Sequence, residues 1–343
     1  MLPEYKDPEA GRLDLLSAAM SVVAVLTVIY GLKEMAQGGF AWLPALFILI
    51  GLAVGTLFVR RQSRLTDPMI DVRLFRIPTY NAALATNFLA IFVMVGYFLF
   101  VAQYLQLVVG LSPLEAGLWS QPSAIAFIVG SQLAPRFVHR VRPASVIGGG
   151  LAVSALGLAL LTQVGPSGGL PTLIVASVVL SLGLAPVFGL TTELVVGSAP
   201  PERAGAASGI SETGAELGGA LGIAILGSIG VAIYRGELSD RLPRDIPAEA
   251  AAIARDTLGS AVAVAAELPE RLGAAVLATS REAFVHGMQL TSAISAVLAV
   301  GLAILAVTVL RNVRPGPVET AESEPSLEQG MQYATADRLE SPS

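Results

Sequence analysis

The run from Ala144 to Thr192 contains no Asp, Glu, Lys or Arg. A soluble domain carries roughly a quarter of its residues as charges, so a stretch this long without one has no solvated face. It also exceeds the ~20 apolar residues that cross a bilayer once. The segment GPSGGLP (Gly165 to Pro171) breaks it with a turn signal, which makes two membrane helices of it. The rest of the chain agrees. Of 343 residues, 54% are hydrophobic and 14% charged, with 35 Gly and 21 Pro, residues commoner in membrane helices than in soluble ones. A soluble enzyme, a disordered chain and a secreted disulfide scaffold are poor fits. Without Cys there is neither a disulfide framework nor a thiolate metal site. No cofactor is implied, and the net charge of −5 argues against a nucleic-acid partner. The fold class is an all-α polytopic membrane protein whose surroundings are the lipid bilayer.

The same reasoning gives about eight crossings. Charge-poor runs lie at Leu15–Leu32, Trp42–Val59, Tyr80–Val109 and Ala116–Pro135. The two halves of Ala144–Thr192 follow, then Ala204–Tyr234 and Ala283–Leu310. The opening MLPEYKDPEAGRLD is polar and lacks the apolar core of a secretory signal, and Asp14 is placed to cap the first helix. Basic residues mark the loops on one side: Arg60, Arg61, Arg64, Arg73 and Arg76, then Arg136, Arg140 and Arg142, then Arg203, then Arg311 and Arg314. The short loops opposite contribute Lys33 alone. By the positive-inside bias both termini are cytoplasmic. The expected layout is a lead-in (1–12), a two-helix hairpin (13–59), a cytoplasmic amphipathic loop (60–79) and a six-helix bundle (80–310). An extracytoplasmic loop spans 235–281, and the acidic, Ser/Pro-rich tail (311–343) reads as disordered. Within 235–281 the Ala-rich AEAAAIARDTLGSAVAVAAELPERLG favours helix, as a solvated cap rather than a re-entrant segment. DPMIDVRLFRIP (Asp67 to Pro78) reads as a short helix on the inner membrane surface.

Few polar residues sit inside the apolar runs. Glu212 and Glu216 are four apart and so share one helical face. An acid at bilayer depth by default faces the bundle interior or a water-filled cavity. Burial favours the neutral form of a carboxyl, and a second carboxylate nearby favours it further; such a site can exchange a proton for a cation. The alternative places both acids in the wet cytoplasmic mouth of the helix. Gly214, Gly218, Gly219 and Gly222 on the same helix permit backbone contact with a neighbour, as a packing seam or a gate, the seam being the simpler. Gln103, Gln106 and Gln121 are candidates for a substrate cavity. Tyr104 and Trp119 fit better in an interfacial aromatic belt. His139 falls in the basic loop and His286 near the outer end of the last helix.

Three strings resemble one family: YLQLVVGLSPLEAG (Tyr104 to Gly117), GSQLAPRFVHRVRP (Gly130 to Pro143) and GSAPPERAGAASGISETGAELGGALGIAILGS (Gly197 to Ser228). Together they look like the C-terminal half of a major facilitator superfamily transporter. The second resembles that superfamily's basic loop signature, here Arg136, Arg140 and Arg142. The third is similar to the penultimate helix of the 14-helix drug:proton antiporters of the EmrB/QacA type. Its GAELGGALG echoes an antiporter motif, with Ala215 where that motif has Pro. The opening PEYKDPEAGRLDLLSA, followed by a helical pair, resembles the segment joining the two bundles in that branch. The resemblance implies proton-coupled efflux of amphipathic or cationic drugs, with small amphipathic molecules and protons as ligands. It also implies that the first six-helix bundle is absent, so the chain is either a partner for that half or a truncated, non-functional product. A membrane-embedded enzyme fits less well, since its chemistry needs clustered His, Asp or Glu at one membrane face.

Overall fold

The computed structural model describes residues 14–38, 42–65, 68, 72–138, 141–199, 204–243 and 245–312. The lead-in before Asp14, His139, Arg140, Arg203 and the tail from residue 313 lie outside them.

The first two helices, α1 (Leu15–Gly38) and α2 (Trp42–Gln62), form an antiparallel hairpin. Asp14 caps α1 as its position suggests. Its carboxylate accepts from the Ser17 backbone N–H at 3.1 Å and the Ser17 hydroxyl at 2.7 Å. Arg61, at the far end of α2, closes the hairpin by reaching both Asp14 oxygens at 3.0 and 2.8 Å. These bonds hold the Asp14 carboxyl down to a pKa of about 2, Ser17 contributing most and Arg61 next. Away from this knot the hairpin shows apolar side chains outward, among them Leu26, Leu49, Leu52 and Leu57, as lipid-facing helices must.

Six long helices make the bundle: α3 (Pro78–Gln103), α4 (Pro113–Val138), α5 (Pro143–Leu161), α6 (Leu170–Gly197), α7 (Ala204–Arg241) and α10 (Glu270–Val309). Helix α5 packs against α6 and α10, α4 against α6, and α3 against α7. The α5–α6 turn needs Gly168, whose φ of 68° lies in the left-handed region that side chains avoid. Among the described residues, seven helices are long and apolar enough to cross a membrane by length and composition. The eighth, α4, is long enough but is diluted by Ser120, Gln121, Pro122, Ser123, Ser131 and Gln132. Three hydroxyls in the core are taken up by the helix backbone. Thr86, Ser177 and Thr191 each donate to the carbonyl four residues earlier, at 2.7, 2.6 and 2.8 Å, since lipid offers no partner.

Three expectations need correction. The last helix begins at Glu270, a dozen or so residues before Ala283, because its Ala-rich lead carries helical propensity through the charges. With 40 and 38 residues, α10 and α7 are each roughly 60 Å long, about twice the hydrocarbon thickness. Their overhang carries two short helices, α8 (Ala248–Asp256) and α9 (Leu258–Glu267); Tyr234 of α7 donates to Ala254 of α8 at 2.8 Å. Second, within DPMIDVRLFRIP the described Val72–Arg76 is a single 3-10 turn. Its Leu74 is buried against Tyr80, Ala83, Val195 and Ala207, while Arg73, Phe75 and Arg76 stay exposed. Third, Tyr104 is no belt residue. It is fully buried in a π-helical turn (Tyr104–Val108) and donates to the Gly165 carbonyl at 2.8 Å.

Candidate functional site

One end of the bundle gathers the arginines. Arg136 is exposed in the last turn of α4. Arg142, just before α5, reaches the Arg311 carbonyl beyond α10 at 3.4 Å, a favourable place for a cation because carbonyls end a helix with partial negative charge. Arg140 lies outside the described residues.

From that end α7 runs inward beside α3. Of Gly214, Gly218, Gly219 and Gly222 on α7, two set the spacing. A Cβ on Gly218 would stand 2.5 Å from the Phe88 carbonyl oxygen, and one on Gly222 would strike the Phe92 carbonyl. Gly214 would meet only the Leu84 side chain at 3.6 Å, and Gly219 the side chains of Val95 at 3.4 Å and Ile91 at 3.8 Å. The seam is thus Gly218 and Gly222, one turn apart. Just before the seam, Asn87 of α3 donates to the Ser211 hydroxyl at 3.2 Å, both residues buried.

The consequence is a groove. With the seam holding α7 close to α3, the α7 face bearing Ser208, Glu212 and Glu216 opens into a space of about 460 Å³. Met94 and Val95 of α3 and Phe188 of α6 form its apolar walls, and Thr192 its polar edge. Both glutamates are exposed to this groove rather than buried within the bundle. Phe188 is itself steadied by Phe127 of α4, ring centroids 6.1 Å apart. Two carboxylates one turn apart, above aromatic and thioether surface, are suited to an organic cation: charge for charge, flat surface for flat surface. Among the described residues no group of three or more His, Asp or Glu stands where it could hold a metal ion.

The three glutamines are not brought together. Gln106 and Gln121 are exposed, and their amides donate back to Ala102 and Gly117 of their own helices at 3.3 and 3.2 Å. Gln103 turns back to Leu99 at 3.0 Å and lies in a different groove, with Lys33 and Arg235. Sequence reading missed Asn87, Ser211, Phe188 and Thr192. Asn87 had a signal, as an amide inside an apolar run, but its partner is 124 residues away. Also missed was the role of Glu237. This largely covered carboxylate meets His286 of α10 and lies 3.3 Å from Arg241, joining the two overhanging helices.

Residues 12–223 match the Major Facilitator Superfamily. The chain is 34% identical over 303 residues to the multidrug efflux pump LfrA of Mycolicibacterium smegmatis, covering 88% of this chain and 60% of that protein. It is 36% identical over 313 residues to the methyl viologen resistance protein SmvA of Salmonella typhimurium (87% and 62%). It is 31% identical over 307 residues to the tetracenomycin C resistance and export protein of Streptomyces glaucescens (88% and 56%). The chain therefore spans between 56% and 62% of the length of these relatives. They are transport and resistance proteins, not enzymes. With the bundle, the close α3–α7 seam and this match over most of its described length, the chain belongs to the Major Facilitator Superfamily.

Proposed function

We propose that this chain takes part in proton-coupled export of amphipathic organic cations, with Glu212 and Glu216 as the residues that exchange protons for the cation. The observation that carries this reading is the groove itself: two carboxylates on one face of α7, open to solvent-accessible space and backed by Phe188 and Met94. A cation that displaces protons there leaves the carboxylates charged and satisfied; its departure lets them be protonated again. The names of the relatives support the substrate class, since methyl viologen is an aromatic dication and LfrA is a multidrug pump.

Transporters of this architecture rock one repeat against another around a midplane site. The proposed role of the chain is the C-terminal bundle of a 14-helix exporter, with the α1–α2 hairpin as the connection between bundles. It then works with a further six-helix bundle across the acidic groove. Both termini face the cytoplasm, in keeping with the arginines at that end. The second reading is that the chain exports nothing by itself, in keeping with the 60% of LfrA and 62% of SmvA that it spans.

Ethidium accumulation separates them. Cells expressing the chain alone are compared with cells that also express the part of LfrA this chain does not match. The proposal expects efflux in the paired cells and its loss in Glu212→Gln. Paired cells that accumulate ethidium like vector controls would favour the second reading.

A further inference from the structure

A second groove, of about 530 Å³, lies at the opposite end of α7, between α1, α3, α7 and the start of α9. Its walls are apolar: Ile29 of α1, Leu99 of α3, Ile223 and Val231 of α7. Its rim is basic, with Lys33 from α1 and Arg235 from α7. No ion pair to Lys33 occurs among the described residues. Arg235 faces Asp256 at 3.6 Å, but the two side chains are 46% and 71% exposed, a loose surface pair of small worth that another anion can replace. The rim also includes Thr257, the N-cap of α9, where a helix presents partial positive charge. A cationic drug has no reason to enter here. The combination suits the reverse: a compact anion at the rim joined to a hydrocarbon tail along the wall.

We propose that this groove binds the phosphate of an anionic membrane lipid, its acyl chain lying between α1 and α7. The lipid then fills the space between hairpin and bundle at the level of the headgroups, and ties Lys33 to Arg235 through one phosphate. This site is separate from the acidic groove and does not depend on the export reading.

Native mass spectrometry of the detergent-purified chain tests it, with phosphatidylglycerol and phosphatidylcholine of equal acyl composition and with glycerol phosphate as the free headgroup. Phosphatidylglycerol is expected to stay bound where phosphatidylcholine does not, and glycerol phosphate is expected not to displace it. Lys33→Gln with Arg235→Gln should weaken the lipid roughly thirtyfold, whereas Arg64→Gln, a basic residue at the other end, should not. Ala224→Phe, which keeps both charges and fills the wall, should also weaken it; that variant decides the matter if the double variant does not fold. Equal retention of the two lipids, or retention unchanged in both groove variants, would overturn the proposal. Displacement by glycerol phosphate would reassign the site to free phosphate and overturn the lipid assignment.

Discussion

Helix α7 borders two grooves of similar size and opposite character. Near the arginine-rich end it presents Glu212 and Glu216 beside Phe188 and Met94; near the other it presents Arg235, which lines one groove with Lys33, Leu99 and Ile29. Both have apolar walls, so neither is selective by hydrophobicity alone. Charge sorts their ligands. On the proposed reading the first takes an organic cation and the second an anionic amphiphile. The grooves also differ in what shapes them. The acidic one rests on a backbone seam, since Gly218 and Gly222 bring α7 against the carbonyls of α3. The basic one lies where α1 of the hairpin packs on α7 of the bundle.

The largest effect should come from removing the charge of the acidic groove. Glu212→Gln with Glu216→Gln is expected to return ethidium accumulation in paired cells to the vector level, with protein abundance in the membrane unchanged. A variant pair that still exports would break the contrast between the grooves. Next is the seam. Gly218→Leu drives a side chain into the Phe88 carbonyl and should cost about 1–3 kcal/mol as overpacking, seen as a lower Tm in detergent. Gly209→Leu, where a side chain enters open space, should leave Tm unchanged. Tyr104→Phe should cost about 1 kcal/mol, because the Gly165 carbonyl loses its buried donor, and the same thermal scan reads it.

The smallest effect is at the hairpin knot. Asp14 titrates at about 2, below its ordinary 3.8, so its charged form favours the folded hairpin. Its contribution is fully present above about pH 4 and is lost as the pH falls through about 2. Spin labels at Leu16 and Ser63 should show a broader distance distribution below pH 4. Asp14→Asn should show that breadth already at pH 7, and a narrow distribution there would remove the knot from the account.

How legible all this was in the sequence depends on range. Helix positions followed from charge-free runs, because lipid makes each charge costly and so each boundary visible; Asp14 and the Gly165–Gly169 turn were readable in the same way. Where propensity competes with charge, as in the Ala-rich lead of α10, the boundary was misplaced. Tyr104 looked interfacial because an aromatic near a helix end usually is; only the returning α5–α6 turn supplies its buried partner. The glutamine set failed for a related reason, since an amide in a helix can satisfy itself on its own backbone. The acid pair needed only a spacing of four, whereas the groove around it needed Asn87, Phe188 and Thr192 from other helices.

The most direct test of the acidic groove as a proton-for-cation site is proton release. Ethidium is added to the detergent-purified chain in weakly buffered solution at about pH 4.5, in the ordinary titration range of a carboxyl, with a pH-indicator dye. The expected result is acidification on ethidium addition that disappears when Glu212 and Glu216 are both replaced by Gln. Ethidium that binds without releasing protons, or releases them equally from the doubly substituted chain, would contradict it.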